Sequence, residues 1–204
     1  VWFSCGAASA VAAKLTLEKY GSTNKVSIVN NPIKEEHEDN QRFLKDVEKW
    51  LAHPIEFATR SKYPDQSCEE VWEDRRFMSG IAGAPCTLEL KKKARQEWEN
   101  INNPDYTVLG FTSEEGHRAD RFRLTERDTL LTPLIDANYD KQACFDVLVN
   151  AGIELPAIYK LGYPNANCIG CVKATSSTYW NLVRETFPDV FESRMKQSRD
   201  IGAK

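Results

Sequence analysis

Short apolar runs alternate with amphipathic stretches along the first sixty residues of the chain. The run Val1-Trp2-Phe3 leads into a loop of small residues and then into a helical pattern that continues to Tyr20. Valine and isoleucine are frequent from Lys25 to Val29, and Asn30-Asn31-Pro32 ends this run with turn residues. The pattern predicts a strand, a helix and a second strand, which form a βαβ unit with a right-handed crossover.

The alternation of helix and strand continues over the rest of the chain. Apolar residues fall on one helical face from Asn40 to Leu51, and Tyr106 to Phe111 is the clearest late strand. Other expected elements are a strand at Pro54 to Ala58, a buried segment at Leu131 to Ile135, and helices at Tyr139 to Ala151, Pro156 to Tyr163 and Thr178 to Phe191. We therefore expect an α/β fold with a Rossmann-like parallel sheet flanked by helices. It should form one domain over residues 1–204, with a Cys-x-x-Cys segment and a helical tail at 162–204.

Composition excludes some classes of protein. The 27 basic and 30 acidic residues give a formal charge of -3, so no global basic field points to non-specific nucleic-acid binding. No stretch approaches the roughly 20 consecutive apolar residues of a membrane span, and the first residues lack the pattern of a signal peptide. We therefore expect a soluble, cytoplasmic protein.

The loop Ser4-Cys5-Gly6-Ala7-Ala8-Ser9 lies between the first predicted strand and the first predicted helix. Its residues are all small, so backbone N–H groups can close around an anion at the helix N-terminus. A tight turn that needs only Gly6 is the alternative interpretation. The sequence contains neither a Gly-Lys-Ser/Thr phosphate loop nor a G-x-G-x-x-G fingerprint, which weakens the kinase and NAD-dehydrogenase hypotheses.

This loop resembles the pyrophosphate loop of the adenine-nucleotide α-hydrolase superfamily, Ser-Gly-Gly-x-Asp-Ser. It is more similar to the Ser-x-Gly-x-x-Ser form of the phosphoadenosine-phosphosulfate (PAPS) reductase family, including the compact reductase-like proteins of phages. Ala8 stands where ATP pyrophosphatases carry aspartate, which counts against magnesium-assisted ATP cleavage. Four further stretches resemble the family in the same order: Gly83 to Lys91, Leu109 to Glu115 with Arg118 and Arg121, Leu131 to Leu134, and Gly162 to Cys171.

The resemblance implies an adenine-nucleotide site and indicates which residues form it. The guanidinium groups of the arginines after Glu115 are suited to binding phosphate or sulfate oxygens. The alternative interpretation is that these arginines belong to a charged surface segment. The implied nucleotide-binding residues are Ser4, Cys5, Gly6, Ala7, Ala8, Ser9, Asn30, Asn31, Gly110, Thr112, Glu115, Arg118 and Arg121. The expected ligand is ATP or PAPS.

The chain contains six cysteines, for which metal or redox use is favoured over disulfides in the absence of a secretion signal. Cys168 and Cys171 form a chelating pair, because a two-residue spacer lets both sulfurs face one metal. The resemblance implies Cys86 as the third ligand of a 4Fe–4S cluster, which leaves one iron open to an external sulfur or substrate. A zinc site completed by Cys68 or His117 is an alternative, as is a redox or structural role for the thiols.

Three functions compete for this sequence. Reductases of the family carry a nucleophilic cysteine near the C-terminus in a Glu-Cys-Gly-x-His motif, and no cysteine follows Cys171 here. ATP-dependent sulfur transfer is therefore favoured, with a tRNA or another nucleic-acid base as a candidate acceptor. PAPS reduction and a non-enzymatic nucleotide-sensing or interaction module are the alternatives. The sequence predicts no membrane partner and does not indicate the oligomeric state.

Overall fold

The computed structural model describes residues 1–202, and the contacts within it group these residues into two compact units. The first, which we call the sheet unit, contains Val1–Asn30, Glu38–Phe57 and Asn102–Ala166. The second, the cysteine unit, contains Asn31–His37, Ala58–Ile101 and the chain from Asn167 onward. The last two residues of the domain predicted from the sequence, at 203–204, lie outside the described residues.

The sheet unit contains short parallel strands in two hydrogen-bonded groups. They are β1 (Trp2–Phe3), β2 (Ile28–Asn30), β3 (Ile55–Phe57), β4 (Thr107–Val108) and β5 (Leu130–Leu131). The pairing register places Trp2 opposite Val29, Ile28 opposite Ile55, and Thr107 opposite Leu130. A parallel bridge between Trp2 and Leu109 joins the groups, so the strand order is β3-β2-β1-β4-β5. The α/β fold with a parallel sheet is therefore confirmed.

Helices occur in both units. In chain order they are α1 (Ala7–Tyr20), α2 (Asn40–Leu51), α3 (Cys68–Arg75), α4 (Ala94–Asn102), α5 (Gly116–Thr125), α6 (Pro133–Asp136), α7 (Lys141–Asn150), α8 (Ala157–Lys160), α9 (Ser177–Thr186) and α10 (Pro188–Ile201). A π-helix at Thr87–Lys93 precedes α4, and a 3-10 turn at Ser113–Glu115 precedes α5. The predicted helix from Asn40 to Leu51 has the observed bounds. The predicted first helix ends at Tyr20 as observed, but it begins earlier than expected, at Ala7 within the predicted loop.

Helix α1 lies in the centre of the core of the sheet unit. Ala10, Val11, Ala12 and Ala13 are each at most 1% exposed, so this helix is buried over most of its surface. Its small side chains allow close packing, and the surrounding core includes Phe3, Ile28, Phe43, Leu134 and Leu148. The N-terminus of α1 is therefore held firmly at the end of β1.

Two predicted elements differ from the observed ones. The predicted strand Tyr106 to Phe111 is regular only at Thr107–Val108, because the chain leaves the sheet at Gly110 to pack against another segment. The predicted last helix, Thr178 to Phe191 with a bend at Pro188, is instead two helices that meet at Pro188, and the second continues to Ile201. Proline lacks a backbone N–H and is favoured at the first position of a new helix, where Pro188 lies.

The cysteine unit has its own apolar core, in which α3 and the π-helix meet. Ser67 caps α3 by accepting from the Glu70 N–H, and Val71, Trp72 and Leu90 are at most 2% exposed. The rest of this core includes Ile33, Tyr63, Cys68 and Met78, with Cys86, Cys168 and Val172 packed against it. Cys68, Cys86 and Cys168, for which the sequence suggested metal or redox roles, therefore lie in one apolar environment.

Among residues 1–202, no helix has the length and apolar character needed to cross a membrane.

Candidate functional site

The loop from Ser4 to Ser9 follows the carboxyl end of β1, and its last three residues, from Ala7 to Ser9, form the first turn of α1. In the strand order of the sheet unit, β1 lies between β2 and β4: the chain continues from β1 to β2 and β3 on one side and then crosses to β4 and β5 on the other. In open parallel sheets, ligands bind in the crevice at the carboxyl ends of the strands where the order reverses. The loop therefore lies at the expected ligand position of this fold.

Hydrogen bonds within the loop fix its shape. Ser9 Oγ donates to the Gly6 carbonyl at 2.8 Å and accepts from the Ser4 N–H at 3.1 Å. The side chain of Asn30 donates to the Phe3 carbonyl at 2.8 Å and contacts Cys5 Sγ at 3.5 Å. Ser9 and Asn30 are both buried, so the structure places them as supports of the loop backbone.

The N-terminus of α1 has no side-chain cap. Gly6 occupies the N-cap position with extended backbone angles, φ -107 and ψ 157, and contributes no side chain. Cys5 precedes it with φ 55, in the left-handed region that L-residues seldom adopt. The N-cap residue therefore provides no side-chain partner for the first N–H groups of α1, which lie at the positive end of the helix dipole, and such an arrangement binds anions.

Gly110 packs directly against this loop. A Cβ atom at Gly110 would lie 2.9 Å from both Cα and N of Ser9 and 3.0 Å from the Ala8 carbonyl carbon. Glycine is therefore required where the end of β4 meets the start of α1. Among the predicted nucleotide-binding residues outside the loop, Gly110 is placed in contact with the loop backbone.

We expect Gly110→Ala to destabilise the protein by about 2 kcal/mol, because backbone atoms must move to accept the new methyl group. Urea unfolding followed by circular dichroism measures this change. Gly116→Ala is the matched control, since Gly116 begins α5 and a Cβ there meets nothing within 4 Å. Equal stability of the two variants would contradict the close approach of Gly110.

Other predicted residues take part in local structure. Thr112 and Glu115 form a capping box ahead of α5, and Arg118 pairs with the carboxylate of Glu115. Arg121 is exposed on α5. The side chain of Asn31 donates to the Ala58 carbonyl at 2.9 Å within the cysteine unit. The structure thus gives Thr112, Glu115 and Arg118 a role in beginning α5.

Tyr159 contacts the loop and was missed in the sequence. Its hydroxyl oxygen lies 3.4 Å from the Ala7 N–H, and a Cβ on Gly6 would lie 3.4 Å from the same oxygen. The sequence indicated only a helical turn around this tyrosine. Its position in chain order, just before the Gly162-Tyr163 stretch of the family resemblance, was the one available signal.

In the cysteine unit, the thiol of Cys68 contacts those of Cys86 and Cys168. Hydrogen bonds to Cys168 and Cys86 strongly raise the pKa of Cys68, which is 3% exposed and begins α3. The hydrogen bond from Cys68 is also the main reason that the pKa of Cys86 falls to about 7. Cys68, suggested by the sequence only as a fourth zinc ligand, is therefore the thiol that links the other two.

Glu35 holds together the segments that carry these thiols. Its carboxylate accepts from the Cys68 N–H at 2.8 Å and from the Ser67 hydroxyl at 2.6 Å. Its carbonyl accepts from the Ile169 N–H at 2.8 Å, directly after Cys168. One residue thus ties the start of α3 to the Cys-x-x-Cys segment, a role that the sequence did not indicate.

Cys171 is more loosely associated with the other thiols. Burial is the main cause that raises the pKa of Cys171, and Cys168 and Cys86 act on it through longer-range repulsion. Thiols suit iron or zinc chemically, but within residues 1–202 no three or more His, Cys, Asp or Glu side chains are arranged to hold a metal ion. Cys68 hydrogen-bonds to Cys86 and to Cys168.

Comparisons with known proteins bear on the fold. No protein-family model matches the chain, and no curated protein sequence matches it. Among solved structures, it is similar to phosphoadenylyl-sulfate (PAPS) reductase from Candida auris, crystallised as a phosphate complex. The TM-score is 0.54 at 11% sequence identity, over 86% of this chain and 83% of that chain. The chain therefore has a PAPS reductase-like fold.

Proposed function

We propose that this chain is an adenine-nucleotide-binding enzyme of sulfur chemistry, which holds the phosphates of its ligand at the loop from Ser4 to Ser9. The observation that carries this proposal is the N-terminus of α1, whose N-cap residue Gly6 provides no side-chain cap, at the ligand position of a PAPS reductase-like fold. Backbone N–H groups there can donate to phosphate oxygens without displacing a side-chain cap. Gly110 and Asn30 keep the loop in the required shape.

ATP-dependent sulfur transfer is the reaction that we favour. In such a reaction ATP adenylates a carbonyl-like oxygen of the acceptor and releases pyrophosphate. A sulfide-level sulfur donor then attacks the activated carbon, and AMP leaves with the oxygen. A tRNA or another nucleic-acid base is the proposed acceptor. The thiol group of Cys68, Cys86 and Cys168 supports a sulfur function, because Cys86 has a lowered pKa and thiolates are the reactive form of cysteine.

PAPS reduction is the second candidate, favoured by the similarity to a PAPS reductase. ATP and PAPS share an adenosine and a 5′-phosphate, so the same loop serves both ligands. Release of sulfite from PAPS with a dithiol reductant would indicate reduction, whereas cleavage of ATP to AMP and pyrophosphate in the presence of tRNA would indicate transfer. Nucleotide binding without either activity would indicate a sensing or interaction module.

Isothermal titration with ATP, PAPS, AMP and GTP tests nucleotide binding. We expect saturable binding of ATP or PAPS to one site per chain. GTP is the matched control, because it carries the charge of ATP on a different base, and we expect it to bind more weakly. Absence of binding for all four ligands would contradict the proposed function.

The iron–sulfur cluster of Cys86, Cys168 and Cys171 stays a prediction, and metal analysis of anaerobically purified protein tests it. The prediction is that iron and sulfide are bound and that Cys168→Ser removes both. Cys144→Ser is the control, since Cys144 is buried in the core of the sheet unit. Zinc in place of iron, or no metal in freshly prepared protein, would contradict the predicted cluster.

A further inference from the structure

The phenol oxygen of Tyr159 accepts hydrogen bonds from two backbone N–H groups at the edge of the loop. Ala7 N lies 3.4 Å from this oxygen, and the Ala166 N–H also donates to it. A phenol has one O–H donor and two acceptor lone pairs. Because the two amides use the lone pairs, the hydroxyl hydrogen is left to donate to a third group beside Gly6. Burial raises the pKa of Tyr159, so this hydrogen is retained at neutral pH.

Lys141 lies on the aromatic ring of the same tyrosine. Its Nζ is 5.4 Å from the ring centroid of Tyr159 and 5.7 Å from that of Phe145, and it donates to Asn165 Oδ1 at 3.2 Å. Burial lowers the pKa of Lys141, while Glu115 and its neighbour Glu114 attract the ammonium only at longer range. The ammonium has thus lost part of its hydration and is held by two rings and an amide.

The loop itself provides little positive charge. No basic residue occurs from Ser4 to Ser9, and a helix N-terminus is equivalent to roughly half an elementary charge. This half charge suffices for one phosphate oxygen. In a ligand with two linked anionic groups, the negative charge of the second group would be left uncompensated. Within the sheet unit, the ammonium of Lys141 lies over the ring of Tyr159, whose hydroxyl contacts the loop.

We propose that Tyr159 and Lys141 complete the phosphate site. The Tyr159 hydroxyl donates to the phosphate held by the loop amides, and the Lys141 ammonium neutralises the second anionic group, a phosphate or sulfate attached to the first phosphate. This inference rests on the nucleotide site proposed above. It gives that site a preference for ligands with two linked anionic groups, such as ADP, ATP or PAPS, over AMP, which has one.

Titration of three variants with ADP and AMP tests this assignment. Lys141→Met should weaken ADP binding about ten-fold or more and AMP binding less than about three-fold, so that the preference for ADP is lost. Tyr159→Phe keeps the ring and should weaken both ligands about ten-fold. Lys160→Met is the matched control, because Lys160 adjoins Tyr159 but pairs with Glu154, and it should leave both affinities unchanged. Thermal unfolding verifies that each variant is folded.

The outcomes separate this inference from the proposed function. If the unmodified protein binds ADP and AMP but Lys141→Met keeps their affinity ratio, Lys141 does not contact the second anionic group and the inference fails alone. An equal loss of ADP binding in Lys160→Met would show that net charge, and not Lys141, matters. If the unmodified protein binds no nucleotide, the loop is not a nucleotide site and both proposals fail.

Discussion

Gly6→Asp is expected to lower the affinity of this protein for its nucleotide by at least about 100-fold. Hydrogen bonds to a charged group contribute about 1.5–3 kcal/mol each, and the aspartate would both occupy the N–H groups of α1 and repel the phosphate. The same change should not harm the fold. Gly6 has N-cap backbone angles, and aspartate is among the preferred residues at an N-cap. Isothermal titration gives the affinity, and thermal unfolding gives the stability.

Gly6→Ala is the matched control for this experiment. It adds the Cβ atom without the carboxylate, and that atom would lie 3.4 Å from the Tyr159 hydroxyl oxygen, an ordinary contact distance. We expect its nucleotide affinity to change only a few-fold. If Gly6→Asp binds nucleotide as tightly as Gly6→Ala does, the loop is only a tight turn between β1 and α1.

Glu89→Gln is expected to lower the free energy of unfolding by about 3 kcal/mol. The carboxylate of Glu89 is 1% exposed within the π-helix and pairs with Arg75, with Lys93 at 2.9 Å and with Arg60 at 3.6 Å. Removing one member of a buried ionic group leaves the others uncompensated, which costs about 3–5 kcal/mol. We expect the lower end of this energy range because the side chains of Arg75 and Lys93 reach solvent. Urea unfolding at neutral pH measures the change.

The pH dependence of this difference follows from the pKa of Glu89. Burial alone would raise that pKa, but hydrogen bonds from Lys93 and Arg75 outweigh burial and hold it below its usual range. The stabilisation is therefore fully present above the ordinary glutamate pKa of about 4.3, and it is lost as the pH falls through the lower value of the folded protein. The stability difference between Glu89→Gln and the unmodified protein should shrink below about pH 4.

Glu97→Gln is the control for the buried carboxylate. Glu97 pairs with Arg60 but its side chain is 43% exposed, so its replacement should cost less than about 1 kcal/mol. A loss of similar size in Glu97→Gln and Glu89→Gln would show that burial of Glu89 does not determine its contribution.

The sequence determined the local elements around the loop. The apolar run before Ser4 and the small residues after it predicted β1, the loop and α1, and the helical periodicity from Asn40 to Leu51 predicted α2. These predictions were correct because strand and helix periodicities depend on neighbouring residues alone. The parallel sheet followed from the alternation of strands and helices.

The tertiary structure decided which distant residues surround the loop and the thiols. Tyr159 is 152 positions from Ala7, and Gly110 meets Ser9 although no local pattern links them. In the cysteine unit, Glu35 joins the start of α3 to the segment after Cys168. The physical reason is that such contacts depend on how whole elements pack, whereas periodicity records only which face of one element is apolar. Spacing identified Cys168 and Cys171 as a pair, but packing made Cys68 the thiol that contacts Cys168.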